Sequence, residues 1–116
     1  MSVAAPHYAK FYEEVAESRA VWAIRDAGGY PAPLAIDGKR AMPFWSSQSR
    51  AQKVISNVKA YAGFEAVQIP LDEFLERWVP GLSKDNLLMG INWAGQSATG
   101  YDVGPEEFMR NIQGIV

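Results

Sequence analysis

One stretch gathers most of the chain's candidate chemistry: residues 40 to 52, RAMPFWSSQSRAQ. Two hydroxyls, Ser46 and Ser47, stand where a strand gives way to a helix. The unpaired backbone N–H groups of a helix start, with the dipole behind them, favour an anion. Arg40 and Arg50 would add positive charge, and Trp45 would stack on a planar ligand. Far along the chain, in GINWAGQSATG, Asn92 sits beside Trp93 between two glycines, a second place where a ligand can approach closely. Arg40, Trp45, Ser46, Ser47, Arg50 and Asn92 are therefore the candidate ligand-binding residues, for a small anion. The competing explanation needs less. Ser46 or Ser47 is an N-cap, Phe44 or Trp45 packs on the core, and the glycines belong to a hairpin turn. That reading is preferred: the stretch is more a joint than a site.

Other chemistry is narrower still. The chain has no cysteine, which excludes disulfides, thiolate nucleophiles and cysteine metal sites. It has one histidine, His7, so a histidine-rich metal site within one chain is impossible. A Ser-His-Asp triad would have to recruit that histidine without a nucleophile-elbow motif. No G-x-x-x-x-G-K-[ST] loop offers a phosphate cradle. Glu13, Glu14 and Glu17 read as a solvated helix face, and Asp72, Glu73 and Glu76 as helix-start charge. Paired carboxylates do acid–base work only where a cleft raises one pKa. No catalytic residue, metal or cofactor is expected.

The elements that would position these residues follow from periodicity. Pro6 suits a first helical position, and Tyr8, Phe11, Tyr12 and Val15 make one buried face, predicting a helix over 6–18. AVWAIRD at 20–26 reads as a strand. PLAID at 33–37 and RAMPFW at 40–45 flank Asp37-Gly38, a hairpin signal, although Pro31, Pro33 and Pro43 interrupt these strands or put them at an edge. A helix over 47–62 carries the stripe Ala51, Val54, Ile55, Val58 and Ala62. A strand follows at 64–69. A short helix over 70–78 ends at Pro80-Gly81. The run at 86–95 is a strand with Leu87, Met89, Ile91 and Trp93 on one side, and 98–103 pairs back onto it. Gly104-Pro105-Glu106-Glu107 opens a last helix, with Phe108, Met109 and Ile112 inward. The order is α-β-β-β-α-β-α-β-β-α. Strands in runs favour an α+β domain, with an antiparallel or mixed sheet packed against helices, over a doubly wound parallel sheet.

With 116 residues the chain is a single domain, 1–116, long enough to bury a core without staples. A net charge of −2 and a pI of about 5.3 argue against nucleic acid as the partner. The N-terminus lacks a basic region followed by an apolar run, so no signal peptide is expected. No stretch approaches the roughly 18 apolar residues of a membrane span. The expected location is the cytoplasm. The four tryptophans, at 22, 45, 78 and 93, are well separated and read as core rather than as a stacking platform.

AVWAIRD, MPFWSSQSRA, IPLDEFLERWVPGL, MGINW and GPEEF, in this order from about Phe11 to Ile112, resemble the Domain of Unknown Function 2750 family of short bacterial proteins. The set Trp22, Phe44-Trp45, Trp78-Val79-Pro80 and Pro105 carries the resemblance. It implies a shared fold, in the style of small bacterial binding or immunity proteins, and no catalytic residues to carry over. The leading functional expectation is a non-enzymatic module, immunity- or adaptor-like, that binds another protein or a second copy of itself. The alternative is a small-molecule or anion-binding protein, or a weak enzyme, using the helix start at 46–50.

Overall fold

Successive side chains of strand β1 (Ala20–Arg25) point to opposite faces of a sheet, and a core is built on each. In the computed structural model, which describes residues 5–35 and 38–115, Val21 and Ala23 join one cluster with Phe11, Phe44, Phe74, Met89, Ile91 and Phe108. Ile24 joins the other, with Trp45, Val54, Ile55, Tyr61 and Trp93. Helix α1 (Ala5–Ser18) covers the first face and α2 (Gln48–Asn57) the second. Two further helices join α1. One is α3, a continuous run of Leu71–Glu73, Phe74–Trp78 and Val79–Lys84; the other is α4 (Pro105–Gln113).

The strands form one antiparallel pair and one mixed three-stranded sheet, as an α+β chain with strands in runs allows. Strand β2 (Ala41–Phe44) leads into α2, and β3 (Glu65–Pro70) pairs antiparallel with β1. Strand β4 (Leu88–Ala94) lies between β2, to which it is parallel, and β5 (Thr99–Val103), to which it is antiparallel. Trp22 and Trp45 exchange two backbone hydrogen bonds, N···O 2.7 and 2.8 Å, and this one bridge joins β1 to the end of β2. The strands thus form two sheets, β3-β1 and β2-β4-β5, set edge to edge at that bridge.

Three elements differ from the sequence reading, each for a physical reason. The strand expected over 33–37 is reduced to a single bridge, Leu34 opposite Arg40. Pro31 and Pro33 have no N–H to give to a ladder. The chain still folds back: Ala35 N–H reaches Lys39 O at 2.6 Å and Ala41 N–H reaches Pro33 O at 3.0 Å. The turn residue Asp37 itself lies outside the described residues. The observed order is thus α-β-β-α-β-α-β-β-α.

The helix expected to stop at Pro80-Gly81 runs through to Lys84. Its Phe74–Trp78 turn widens to π geometry, with Val79 N–H bonded back to Phe74 O. Proline normally breaks a helix because it lacks a donor and its ring meets the carbonyl four residues back, here Glu76. A widened turn just ahead of Pro80 relieves that clash. Past Lys84 the end is closed at Asn86, in the left-handed region (φ 58°), with Leu87 N–H on Leu82 O at 2.9 Å.

Trp93 does not share a side with Met89 and Ile91. Ile91 opposes Tyr101 but Ala94 opposes Thr99, so β4 carries one extra residue at a bulge. Asn92 takes φ 49° there. The shift sends Trp93 to the α2 face, while Met89 and Ile91 stay on the other. Smaller differences follow at α2, which ends at Asn57 before a 3-10 turn at Lys59–Tyr61 and leaves Ala62 exposed.

Candidate functional site

At the end of β2 the chain turns into the protein before it turns into a helix. Trp45 is fully buried, and its indole N–H donates to Trp93 O at 2.8 Å. Ser46 is buried as well, and its backbone N–H donates to Asn92 Oδ1 at 3.0 Å. Ser47 is the N-cap: its hydroxyl accepts from Arg50 N–H at 3.3 Å.

Arg50, in the first turn of α2, reaches across to α1. Its Nε and Nη2 donate to the two oxygens of Glu14, each at 3.0 Å, the forked geometry that suits guanidinium and carboxylate. Its Nη1 lies 3.2 Å from His7 Nδ1. Arginine has only donors, so that ring nitrogen accepts. Ser46 Oγ donates to Glu14 Oε1 at 2.6 Å. Asn92 Nδ2 donates to the His7 carbonyl and to Ser46 Oγ, both at 3.0 Å. No buried side-chain nitrogen or oxygen among the described residues lacks a partner.

Of the six residues singled out in the sequence, the structure brings Trp45, Ser46, Ser47, Arg50 and Asn92 together. Arg40 is not with them. It is exposed at the opposite end of β2, with Nη1 on Ala32 O at 2.9 Å. Two further members come from α1: His7 and Glu14. Glu14 corrects the reading of an entirely solvated acidic face, because it is half-buried and sits where an anion at this helix start would sit. Its place was legible in part, since His7, Phe11 and Glu14 are spaced i, i+4, i+7 along the margin of the apolar stripe.

The Arg50 hydrogen bonds hold the Glu14 carboxyl below its ordinary range, against the opposing effect of burial and with help from Ser46. A depressed carboxylate stabilises the fold above its unfolded pKa and loses that contribution as pH falls through the folded value. The pair is partly solvated, which screens it, so Glu14→Gln costs about 1 kcal/mol at neutral pH. The gap from wild type narrows when both proteins are melted at acidic rather than neutral pH, as the pH falls through the lowered Glu14 value and the carboxylate protonates. An equal gap at both pH values would show that the ionised pair is not responsible.

Two cavities open on the α2 face. The smaller, about 160 Å³, lies at the carboxyl ends of parallel β2 and β4 and is lined in part by His7, Arg50, Lys53, Asn57 and Asn92. The larger, about 480 Å³, is an open groove between the 33–35 segment and the β4–β5 hairpin. Tyr61, Trp93 and Asp102 line it, and Leu34, 66% exposed, stands at its rim. The Trp93 ring lies across Gly90 and Gly100, where a Cβ would come within 2.3 and 2.9 Å of it. Its N–H donates to Asp102 Oδ1 at 2.9 Å. Burial pushes the Asp102 carboxyl up, and the Trp93 N–H offsets this in part. Burial also pushes the Tyr61 hydroxyl up. Among the described residues no group of three His, Cys, Asp or Glu side chains is placed to hold a metal.

A family model described as a protein of unknown function, DUF2750, matches residues 8–112. No curated protein sequence matches the chain. Among solved structures the chain is similar to Anabaena Tic22 (protein transport), at 17% identity and a TM-score of 0.42. The similarity covers 67% of this chain and 44% of that one, so the chain spans less than half the length of that structure.

Proposed function

The chain belongs to the DUF2750 family, and from that premise we propose that it is a non-enzymatic, cytoplasmic module that binds another protein. The observation that carries this reading is the groove with Leu34 at its rim. Leu34, 66% exposed, stands beside an open groove of about 480 Å³, and a large apolar side chain at the edge of a concavity is where a partner side chain can dock.

The joint at 45–50 supports the same reading from the other side. Both forks of Arg50 are taken up by Glu14, Ser46 is held by Glu14 and Asn92, and Ser47 caps its own helix. A nucleophile needs a neighbouring base free to take its proton. The Ser46 hydroxyl faces a carboxylate already neutralised by a guanidinium. The cysteine-free sequence fits a reducing compartment.

Capture from the source-cell lysate tests the proposal, with wild type compared against Leu34→Asp. Leu34 is exposed, so the variant melts with the wild type. A stoichiometric partner held by wild type, rebinding after purification, is expected to lose at least about tenfold in affinity when the rim carries a charge. No partner, or one indifferent to Leu34, would sink the reading.

A further inference from the structure

We infer that the groove between the 33–35 segment and the β4–β5 hairpin takes a lysine or arginine side chain presented by the partner protein, with Asp102 as its counter-ion. This rests on the protein-binding reading and names the chemistry of the partner.

Among the described residues the groove has one charge. Asp102 is the carboxylate in its lining, and no lysine or arginine lines it. Its other polar side chains are neutral, the hydroxyls of Ser97, Thr99 and Tyr61. None of the ion pairs among the described residues involves Asp102. A half-buried carboxylate without a counter-ion is a cost to the free protein, which is why burial lifts its pKa. An arriving cation would remove that cost.

The rim suits the same guest. Leu34 at the rim can cover the aliphatic stem that lysine and arginine carry behind the charged head. An anionic guest would meet the carboxylate directly, and a lone carboxylate is too few ligands for a metal.

The site is also fixed in advance. Asp102 Oδ1 is held by the Trp93 N–H at 2.9 Å, which leaves Oδ2 for a guest. Trp93 is held in turn by the backbone of Gly90 and Gly100 beneath its ring. Preorganised groups bind without the cost of being ordered on arrival.

The test uses the full chain and a capped Gly-Arg-Gly peptide, with the citrulline peptide as its uncharged twin. The readout is the Trp93 indole N–H resonance. The arginine peptide is expected to shift that resonance saturably, with an affinity at least about tenfold above the citrulline peptide. Asp102→Asn keeps an oxygen for the indole N–H and removes the charge. It is expected to melt at or above the wild type and to lose the preference for arginine. Equal response to the two peptides, or a preference that survives in Asp102→Asn, overturns the inference. Either failure leaves the protein-binding reading standing, because that is decided separately by capture with Leu34→Asp. Free methylguanidinium binding as tightly as the peptide would overturn the assignment to a partner side chain and make the guest a small organic cation.

Discussion

Gly90→Ala lowers the melting temperature by about 10 °C or more, the cost expected when about 3 kcal/mol of overpacking falls on a domain of this size. The glycine has no unusual backbone angle to explain it. The reason is that the Trp93 ring lies on its Cα: a Cβ built there comes within 2.3 Å of Cε2 and 2.5 Å of both Cζ2 and Nε1. Those ring atoms cannot swing aside cheaply. The indole is 7% exposed and its N–H is tied to Asp102. Pushing it outward breaks that bond and opens the α2-side core. Thermal melting followed by tryptophan fluorescence measures the loss. Combining the substitution with Trp93→Leu should cost much less than the sum of the two, since both act on one contact. A Gly90→Ala protein that melts with the wild type would mean the indole has another place to go.

Asn92→Ala is the second large loss, about 3 kcal/mol by summing two effects. The first is polar. Without the amide, the buried Ser46 N–H loses its acceptor, and the His7 carbonyl and Ser46 hydroxyl lose a donor. Groups left unsatisfied away from water cost about 1–3 kcal/mol each, with relaxation and water entry lowering the sum. The second is conformational. Asn92 holds φ 49°, a region asparagine tolerates and alanine enters at a cost of about 1–2 kcal/mol. Asn92→Gly removes the side chain but not the backbone freedom, so it recovers about 1 kcal/mol relative to alanine. Urea unfolding midpoints, at unchanged slope, give both numbers. If alanine and glycine cost the same, the left-handed backbone at the bulge carries no strain.

These two positions also mark what the sequence could and could not reveal. Local signals were legible. The stripe of Tyr8, Phe11, Tyr12 and Val15 and the cap at Ser47 each depend on residues a few positions apart, and both are where periodicity and capping put them. The misread features depend on distant partners. The bulge at Asn92 is fixed by bonds to Ser46 and His7, 46 and 85 residues away, and no alternation pattern reports that. The Glu14–Arg50 fork spans 36 residues, and an isolated helix gives no reason to expect it beyond a place at the margin of the stripe. Pro80-Gly81 is a stop signal only if the preceding turn stays in α geometry, and here that turn is widened by one residue. The joint at 40–52 was legible as a cap and a packed tryptophan. Its companions from α1 and β4 required the fold.

The seam at Trp22 and Trp45 bears on how the molecule comes apart. Among the described residues the β1–β3 ribbon meets the β2–β4–β5 sheet at that one bridge, two hydrogen bonds wide. The halves are latched there, not laddered. What keeps them together is the side-chain packing above and below, Val21 against one layer and Ile24 against the other. Hydrogen bonds between strands resist shear in proportion to how many share the load, so under a pulling force or partial denaturation this line is the weakest crossing among the strands. Native-state hydrogen exchange is expected to show the β1–β3 amides opening together and ahead of the β2–β4–β5 amides.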